Sequence, residues 1–272
     1  MTPYERAQAD AIAAWKAEEP SAASRAFDRL TAPIAWAVEK IVPDDLAHNV
    51  VLGVDGMARA LVNAEDILAR GDVTSITDLK SEDLSLSDAL AEDVHNRALA
   101  LAGGTGAALG ATGVGGIALD LASLMTLALV TVRNIGVCYG YDEVEEAFVL
   151  GVLAASSANT RDEKKSALDH LRAVEAHLAG EAVESGLTDA LLNRAARGGV
   201  FFTARGVFKR IAQNLARRKA LQSVPMIGAV FGLATNAWFI NDVAWAARRM
   251  FQERWMMDND LGAAKPARKA KG

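Results

Sequence analysis

The chain has 272 residues, of which 51% are hydrophobic and only 6% aromatic, and its formal net charge is −5. A chain of this length can bury a substantial core in one or two domains. Abundant alanine and few β-branched runs favour closely packed helices and argue against a sizeable sheet. The single cysteine, Cys138, excludes an internal disulfide and fits a reducing compartment. Because no secretory signal is recognisable, we expect a cytoplasmic protein.

Capping and turn signals divide the chain into a series of predicted helices. Thr2 followed by Pro3 begins the first helix, and Gly71 ends the third. Ser85 and Asp88 have the spacing of a capping box, which predicts a helix start there. The motif "YGYD" ends a long apolar helix. The predicted helices span residues 3–20, 21–42, 44–70, 85–102, 117–138, 143–158, 160–180, 188–221 and 225–257.

Glycine is concentrated in the middle of the chain. Seven glycines lie between Gly103 and Gly116, and Asp120 is the only charged residue from 98 to 132. The stretch "TGAALGAT" is similar to the phosphate turn of short-chain dehydrogenases, but a helix-prone segment precedes it where that turn needs a strand. Small residues four apart instead favour close helix packing, in a soluble bundle or next to a membrane. The glycines predicted to pack helices closely are Gly106, Gly110, Gly228 and Gly232.

A membrane span is a weaker interpretation of the same region. A span needs about 20 apolar residues, and Asp120 near its middle would cost about 2.5 to 3.5 kcal/mol. We therefore predict an all-α multi-helix bundle with two glycine-rich, closely packed apolar hairpins, the first of which is buried in protein and able to open towards lipid. A buried Asp120 would need a partner, which Arg133, Asn236 or a ligand group would supply.

Positive charge is concentrated in one segment. No Asp or Glu occurs between residues 190 and 241, whereas eight Arg and Lys residues do. If 200–219 is one helix, Ile211 and Leu215 lie on an apolar stripe opposite the basic residues. Such a helix contacts an anionic bilayer, or it packs its stripe on the core and exposes a basic back. The residues predicted to contact a membrane or anionic lipid are Arg205, Lys209, Arg210, Arg217, Arg218, Phe201 and Phe208.

No motif establishes a metal site or a catalytic site. Glu92 and His95 have the Glu-x-x-His spacing of carboxylate-bridged metal sites, but a second such pair is missing. Glu92, His95, His170 and His177 are therefore interpreted as solvated residues on helix surfaces. We predict no metal and no cofactor, and a hydrolase that uses Asp120, His95 or Glu92 is a lesser alternative function. The tryptophan pair at 238 and 245 shares a helix face, at a lipid interface or against neighbouring helices.

Long segments of the chain resemble the EcsC family of bacterial proteins. They are "MTPYERAQADAIAAWK", "DVHNRALALAGG", "GVGGIALDLASLMTLALVTVRNIGVCYGYD" and "VPMIGAVFGLATNAWFINDVAWAARRMFQERW". The family is named after the third gene of an ABC transporter operon. The resemblance implies a helical protein at the cytoplasmic side of the membrane, in transport or lipid homeostasis, and it supplies no catalytic residue. The positions that match the family pattern are Asp120, Tyr139, Gly140, Asp142, Gly228, Gly232 and Asn236.

The resemblance also guides the predicted site and the domain organisation. The usual histidine–phenylalanine pair near the end of the last helix is replaced by Arg249, Met250 and Phe251, so no role of that histidine is carried over. The predicted ligand or core polar site comprises Asp120, Arg133, Tyr139, Asp142 and Asn236. The predicted organisation is one domain over 1–262, with N-terminal helices in 1–102, a glycine-rich hairpin in 103–142, basic and C-terminal helices in 188–257, and a disordered basic tail in 263–272.

Two functions follow as expectations. The first is a cytoplasmic protein, peripherally bound to the inner membrane, that holds lipid or another apolar ligand between helices, with Asp120 orienting a polar head group. The second is an interaction module that regulates an ABC-type or other integral membrane transporter. Nucleic acid is not an expected partner, because the basic segment lacks a recognition fold.

Overall fold

The structure is a computed structural model that describes residues 1–18, 61–109, 113–158, 160–178 and 234–261, together with Val207 and Ile211. Within these ranges it contains seven α-helices, one 3₁₀ helix over Ile76–Lys80 and no β-strand, which confirms the all-α prediction. The helices are α1 (Pro3–Ala17), α2 (Ala64–Gly71), α3 (Leu84–Leu109), α4 (Gly113–Cys138), α5 (Glu146–Ser156), α6 (Arg161–Leu178) and α7 (Ala234–Asp258).

The first helix begins as the sequence predicts. The Thr2 hydroxyl accepts a hydrogen bond from the Glu5 backbone N–H, and the Glu5 carboxylate accepts one from the Thr2 N–H. Pro3 occupies the first turn, where its missing N–H costs nothing. The helix ends at Ala17, three residues before Pro20.

The structure describes only the last part of the helix predicted over 44–70, and there the helix begins later than a continuous helix would require. Asn63 is not helical, and its side chain caps α2 by accepting a hydrogen bond from the Asp66 N–H. The C-terminal signal is also displaced by one residue. Gly71 is the last helical residue, and Asp72 adopts the left-handed conformation with φ 53° that the prediction assigned to the glycine.

The predicted capping box at Ser85 and Asp88 is wrong. α3 already begins at Leu84, so Ser85 lies inside its first turn, and the Asp83 carbonyl accepts the first backbone hydrogen bonds. The Asp88 carboxylate bonds to side chains of other helices instead. At its other end α3 continues to Leu109, beyond the predicted end at 102, because glycine weakens a helix by about 1 kcal/mol without necessarily ending it.

The last helix is at the centre of the bundle. α7 packs against α1, α3, α4 and α5, while α3 packs on α4 and α5 packs on α6. Phe251, a fully buried residue of α7, contacts three aromatic rings from the α4–α5 region. Its ring centroid lies 6.3, 5.5 and 4.9 Å from those of Tyr139, Tyr141 and Phe148. α7 therefore connects the N-terminal helices to the second half of the chain.

Close helix packing occurs at glycines that were not predicted. A Cβ built on Gly136 would lie 2.7 Å from the Val144 side chain, and one on Gly151 would lie 2.5 Å from Leu171. A Cβ on Gly103, in the glycine-rich stretch, meets no described atom within 4 Å. The surroundings of the four glycines predicted to pack helices lie outside the described residues: Gly106, Gly110, Gly228 and Gly232.

Several other predictions also lie outside the described residues. They concern the helix over 21–42, the tail over 263–272 and most of the helix over 188–221. None of the described helices is both long enough and apolar enough to cross a membrane.

Candidate functional site

Asp88 is the centre of a buried polar network in which four helices meet. Its side chain is on α3, and only 4% of the residue is exposed. Oδ1 accepts hydrogen bonds from the Tyr139 hydroxyl at 2.5 Å and from the Gln252 Nε2 at 2.7 Å. Oδ2 accepts one from the Tyr4 hydroxyl at 2.7 Å. We call Asp88, Tyr4, Tyr139 and Gln252 the Asp88 network.

Tyr139 reaches Asp88 because α4 ends in a tight turn. The next residue, Gly140, has φ 87°, a conformation that side-chain-bearing residues rarely adopt. A Cβ there would lie 2.4 Å from the Lys80 Cγ and 2.8 Å from the Lys80 backbone nitrogen. Contacts to α7 and to the residue after it hold that part of the chain, since the Trp255 Nε1 donates to the Leu79 carbonyl at 3.3 Å and the Asn259 side chain donates to the Lys80 carbonyl at 3.1 Å. The turn and the 3₁₀ helix thus fix the position of the Tyr139 ring.

The side chains of Arg249 and Gln8 form further hydrogen bonds with Gln252 of the network. The Arg249 Nη1 donates to the Gln252 Oε1 and to the Gln8 Oε1, each at 2.9 Å. The Gln252 Nε2 also approaches the Gln8 Oε1 at 3.3 Å. These bonds orient the Gln252 amide so that its N–H group faces the Asp88 carboxylate. They also attach α1, which carries Gln8, to α7.

The electrostatics of the network favour the neutral, protonated form of its two phenols. Burial and the neighbouring Asp88 charge raise the pKa of Tyr139 well above its usual value of 10. Burial and the bond to Asp88 raise the pKa of Tyr4 to about 12. Three donors already occupy most of the roughly four acceptor positions of the carboxylate. The network therefore fastens helices together and leaves little capacity for a substrate proton or a metal ion.

A second cluster lies on the adjoining surface of α3 and α7. The guanidinium carbons of Arg248 and Arg249 lie 4.6 and 5.1 Å from the centroid of the Trp245 ring. The His95 ring meets Trp245 edge-on, with the ring centroids 5.6 Å apart. Trp245 is 37% exposed, so this arrangement reaches solvent. We call Trp245, Arg248, Arg249, His95 and Glu92 the Trp245 cluster.

Within this cluster His95 is held in a neutral state. Burial and the charge of Arg248 lower its pKa, against the opposing effects of Asn241 and Glu92. Its Nε2 lies 3.2 Å from the Asn241 Oδ1, which assigns the ring proton to Nε2 because that amide oxygen can only accept. His95 is thus an ordered, uncharged group beneath the tryptophan.

A family model described as the EcsC protein family matches residues 6–256. The chain belongs to the EcsC protein family. It is similar to "Uncharacterized protein YdbA" of Bacillus subtilis (strain 168), with 26% identity over 187 residues, which cover 68% of this chain and 63% of that protein. The match thus spans less than two thirds of the length of that relative. No solved structure matches significantly.

The polar site predicted for this EcsC protein is only partly assembled. Tyr139 is fully buried, as a site residue should be, and Asn236 is also buried. Arg133 is buried too, and its Nη1 donates to the Val144 carbonyl at 3.1 Å, which anchors the segment between α4 and α5. The Asp142 side chain is exposed after the turn, whereas Tyr139, Asn236 and Arg133 are buried. Asp120 lies in α4, and its side chain is outside the described residues.

Glu92 and His95, the candidate metal pair of this EcsC protein, have different partners, and the surface interpretation is wrong for the buried His95. The Glu92 side chain is 63% exposed and pairs with Arg248, whereas His95 is buried and bonds to Asn241. Among the described residues no group of His, Cys, Asp and Glu side chains is arranged to hold a metal ion. Cys138 is a core residue, as interpreted, and burial raises the pKa of its thiol strongly.

The predicted membrane contacts of the basic segment lie outside the described residues: Arg205, Lys209, Arg210, Arg217, Arg218, Phe201 and Phe208. Two neighbours on the predicted apolar side are described. Val207 and Ile211 are helical and buried, and they lie four positions apart in the chain. At these two positions the apolar side packs inside the protein.

Asp88, the centre of the network, was not predicted as a site residue from the sequence. Asp88 has a local explanation as a capping residue, which hides its long-range role. Its partners lie 84, 51 and 164 residues away, and no spacing rule connects them. Only Tyr139 was singled out, through the family pattern.

Proposed function

We propose that this EcsC protein is a peripheral membrane protein of the cytoplasmic side, which binds anionic lipid through its basic segment and holds lipid or another apolar ligand between its helices. The proposal is supported by the charge of residues 190–241, which contain eight Arg and Lys residues and no acid. A positive field of this kind concentrates at an anionic surface even when the whole protein is acidic.

The burial of Val207 and Ile211 supports one mode for such a contact. Two buried apolar residues four positions apart indicate a helix that packs on the rest of the protein. Helical periodicity from these positions predicts Arg205 and Lys209 for the opposite side. The contact we propose is therefore electrostatic and does not require this apolar side to enter the bilayer. It should weaken steeply as salt is added.

Co-sedimentation with vesicles tests the proposal. The full chain is mixed with phosphatidylcholine vesicles and with phosphatidylglycerol-containing vesicles over a salt series. We expect salt-sensitive binding to the anionic vesicles only, lost when Arg205, Lys209 and Arg217 are changed together to Glu. The matched control changes Arg70, Arg97 and Arg172 to Glu, which are three exposed arginines of α2, α3 and α6. Lipid extraction and mass spectrometry of the purified protein test the interior ligand.

Two outcomes would count against the proposal. Absence of binding to either vesicle type would contradict the membrane contact. Equal loss in the control variant would assign binding to net charge and not to this segment. Crosslinking to a membrane transporter without any binding to pure lipid would instead favour the regulatory module.

A further inference from the structure

Arg248 is buried without matching hydrogen bonds. Only 7% of the residue is exposed, and its Nε has no hydrogen-bond partner among the described residues. Its ion pair in the described part of the chain is with Glu92, whose Oε2 lies 3.7 Å from Nη2. That distance is longer than a hydrogen bond, and a 63% exposed carboxylate is screened by water and salt. A buried guanidinium donor without an acceptor is energetically unfavourable, and a bound acceptor would remove that cost.

Arg249 adds a second positive charge next to Arg248. The hydrogen bonds described for its guanidinium go to the neutral amide oxygens of Gln8 and Gln252. Burial, followed by the charge of Arg248, lowers the pKa of Arg249, so the two cations destabilise each other. An anion between them would relieve this repulsion.

The nearby acids leave that anion position open. Asp88 is buried and already accepts three hydrogen bonds from neutral donors. Glu92 is the competing carboxylate of the cluster, and it lies at the edge in solvent. The Trp245 ring covers both guanidinium groups and forms an apolar wall beside them. This combination fits an oxyanion that carries an organic substituent.

We infer that the Trp245 cluster binds a phosphate-class oxyanion, supplied by an anionic lipid head group or by a free phosphate. Arg248 is the main ligand, because its planar donors match tetrahedral oxyanions. Arg249 contributes charge, and Glu92 opposes binding. The head-group source rests on the proposed function, whereas the oxyanion site does not.

Inorganic phosphate is the first probe. The full chain is titrated with phosphate at constant ionic strength, and the indole N–H signal of Trp245 is followed by NMR after assignment with a W245F variant. We expect a saturable shift in the wild type. Arg248→Gln should weaken binding at least tenfold, and Glu92→Gln should tighten it several-fold. Arg172→Gln, which removes an exposed arginine paired with Asp169 on α6, is the matched control and should bind like the wild type.

The outcomes separate the site from ordinary salt effects. No saturable shift in the wild type, or equal affinity in the wild type and the Arg248 variant, overturns the inference. If the Arg248 variant fails to fold, the Glu92→Gln variant is the deciding test, because the Glu92 side chain is exposed and its replacement should leave the fold intact. A phosphate affinity equal to that of the wild type overturns the inference, and tighter phosphate binding supports it.

Vesicles distinguish the two sources of the oxyanion. Phosphatidylglycerol vesicle binding that falls with Arg248→Gln supports a head group. Phosphate binding without any vesicle binding supports a free phosphate and contradicts the proposed function alone. A third outcome is salt-sensitive vesicle binding that Arg248→Gln does not change, together with no NMR shift on addition of phosphate. This outcome contradicts the oxyanion site and leaves the proposed function standing.

Discussion

The Tyr139 hydroxyl donates a 2.5 Å hydrogen bond to the Asp88 carboxylate, although the two residues are 51 positions apart in the chain. The bond is buried and joins the end of α4 to the first turns of α3. Since the carboxylate also receives Tyr4 and Gln252, each donor contributes to the position of the others.

Removal of the buried phenol should destabilise the fold. Tyr139→Phe keeps the ring and deletes the hydroxyl, so Asp88 loses one of three donors, and we expect a loss of about 1 to 3 kcal/mol in the free energy of unfolding. Urea denaturation followed by circular dichroism measures it. Tyr4→Phe is the matched control at a 41% exposed ring and should lose less. Equal losses would mean that burial does not set the strength of these bonds.

Alkaline pH should lower the free energy of unfolding, because Tyr4 and Tyr139 lose their protons. Because their folded pKa values lie above the usual 10, the folded state holds protons that the unfolded state releases. The stabilisation is fully present below pH 10 and is lost as the pH rises through the folded values, about 12 for Tyr4. Denaturation curves between pH 8 and 11.5 should show falling stability above pH 10. Tyr139→Phe should flatten that decline; an unchanged slope would contradict the assignment.

Gly140 should be intolerant of a side chain. Gly140→Ala combines φ 87° with a Cβ placed against the Lys80 backbone, so we expect a loss of about 1 to 3 kcal/mol. Gly103→Ala is the opposite case, inside α3 with no described atom within 4 Å of the new Cβ, and should gain up to about 1 kcal/mol. Thermal unfolding of both variants measures the difference. Similar effects at the two sites would contradict the described turn.

The contact of α5 with α6 should show coupling at one pair. Gly151→Ala places a methyl group 2.5 Å from Leu171, and overpacking of this kind costs about 1 to 3 kcal/mol. Leu171→Ala alone removes a fully buried side chain, at about 2 to 5 kcal/mol. In the double variant the new methyl group occupies space that Leu171 has vacated. The loss of stability in the double variant should therefore be smaller than the sum of the losses in the two single variants. A double-mutant cycle from urea denaturation measures this, and strict additivity would contradict direct contact.

The sequence was sufficient for the fold class and for most helices, and insufficient for the site. Alanine content and capping residues are local signals, which is why α1 and the end of α4 were predicted correctly. Asp88 was assigned to a helix start because Ser85 precedes it at the right spacing, and a local pattern cannot reveal a partner on another helix. Arg248 received no predicted role. Its burial depends on how α3 and α7 pack, which no periodicity encodes.

The central place of α7 has a consequence for biosynthesis. This helix emerges from the ribosome after every other described helix, yet α1, α3, α4 and α5 all pack against it. The network of Tyr4 and Asp88 is incomplete until Gln252 has been synthesised. The early helices therefore carry unpaired faces through most of translation, and a nascent chain stopped before α7 would present those faces to chaperones and proteases.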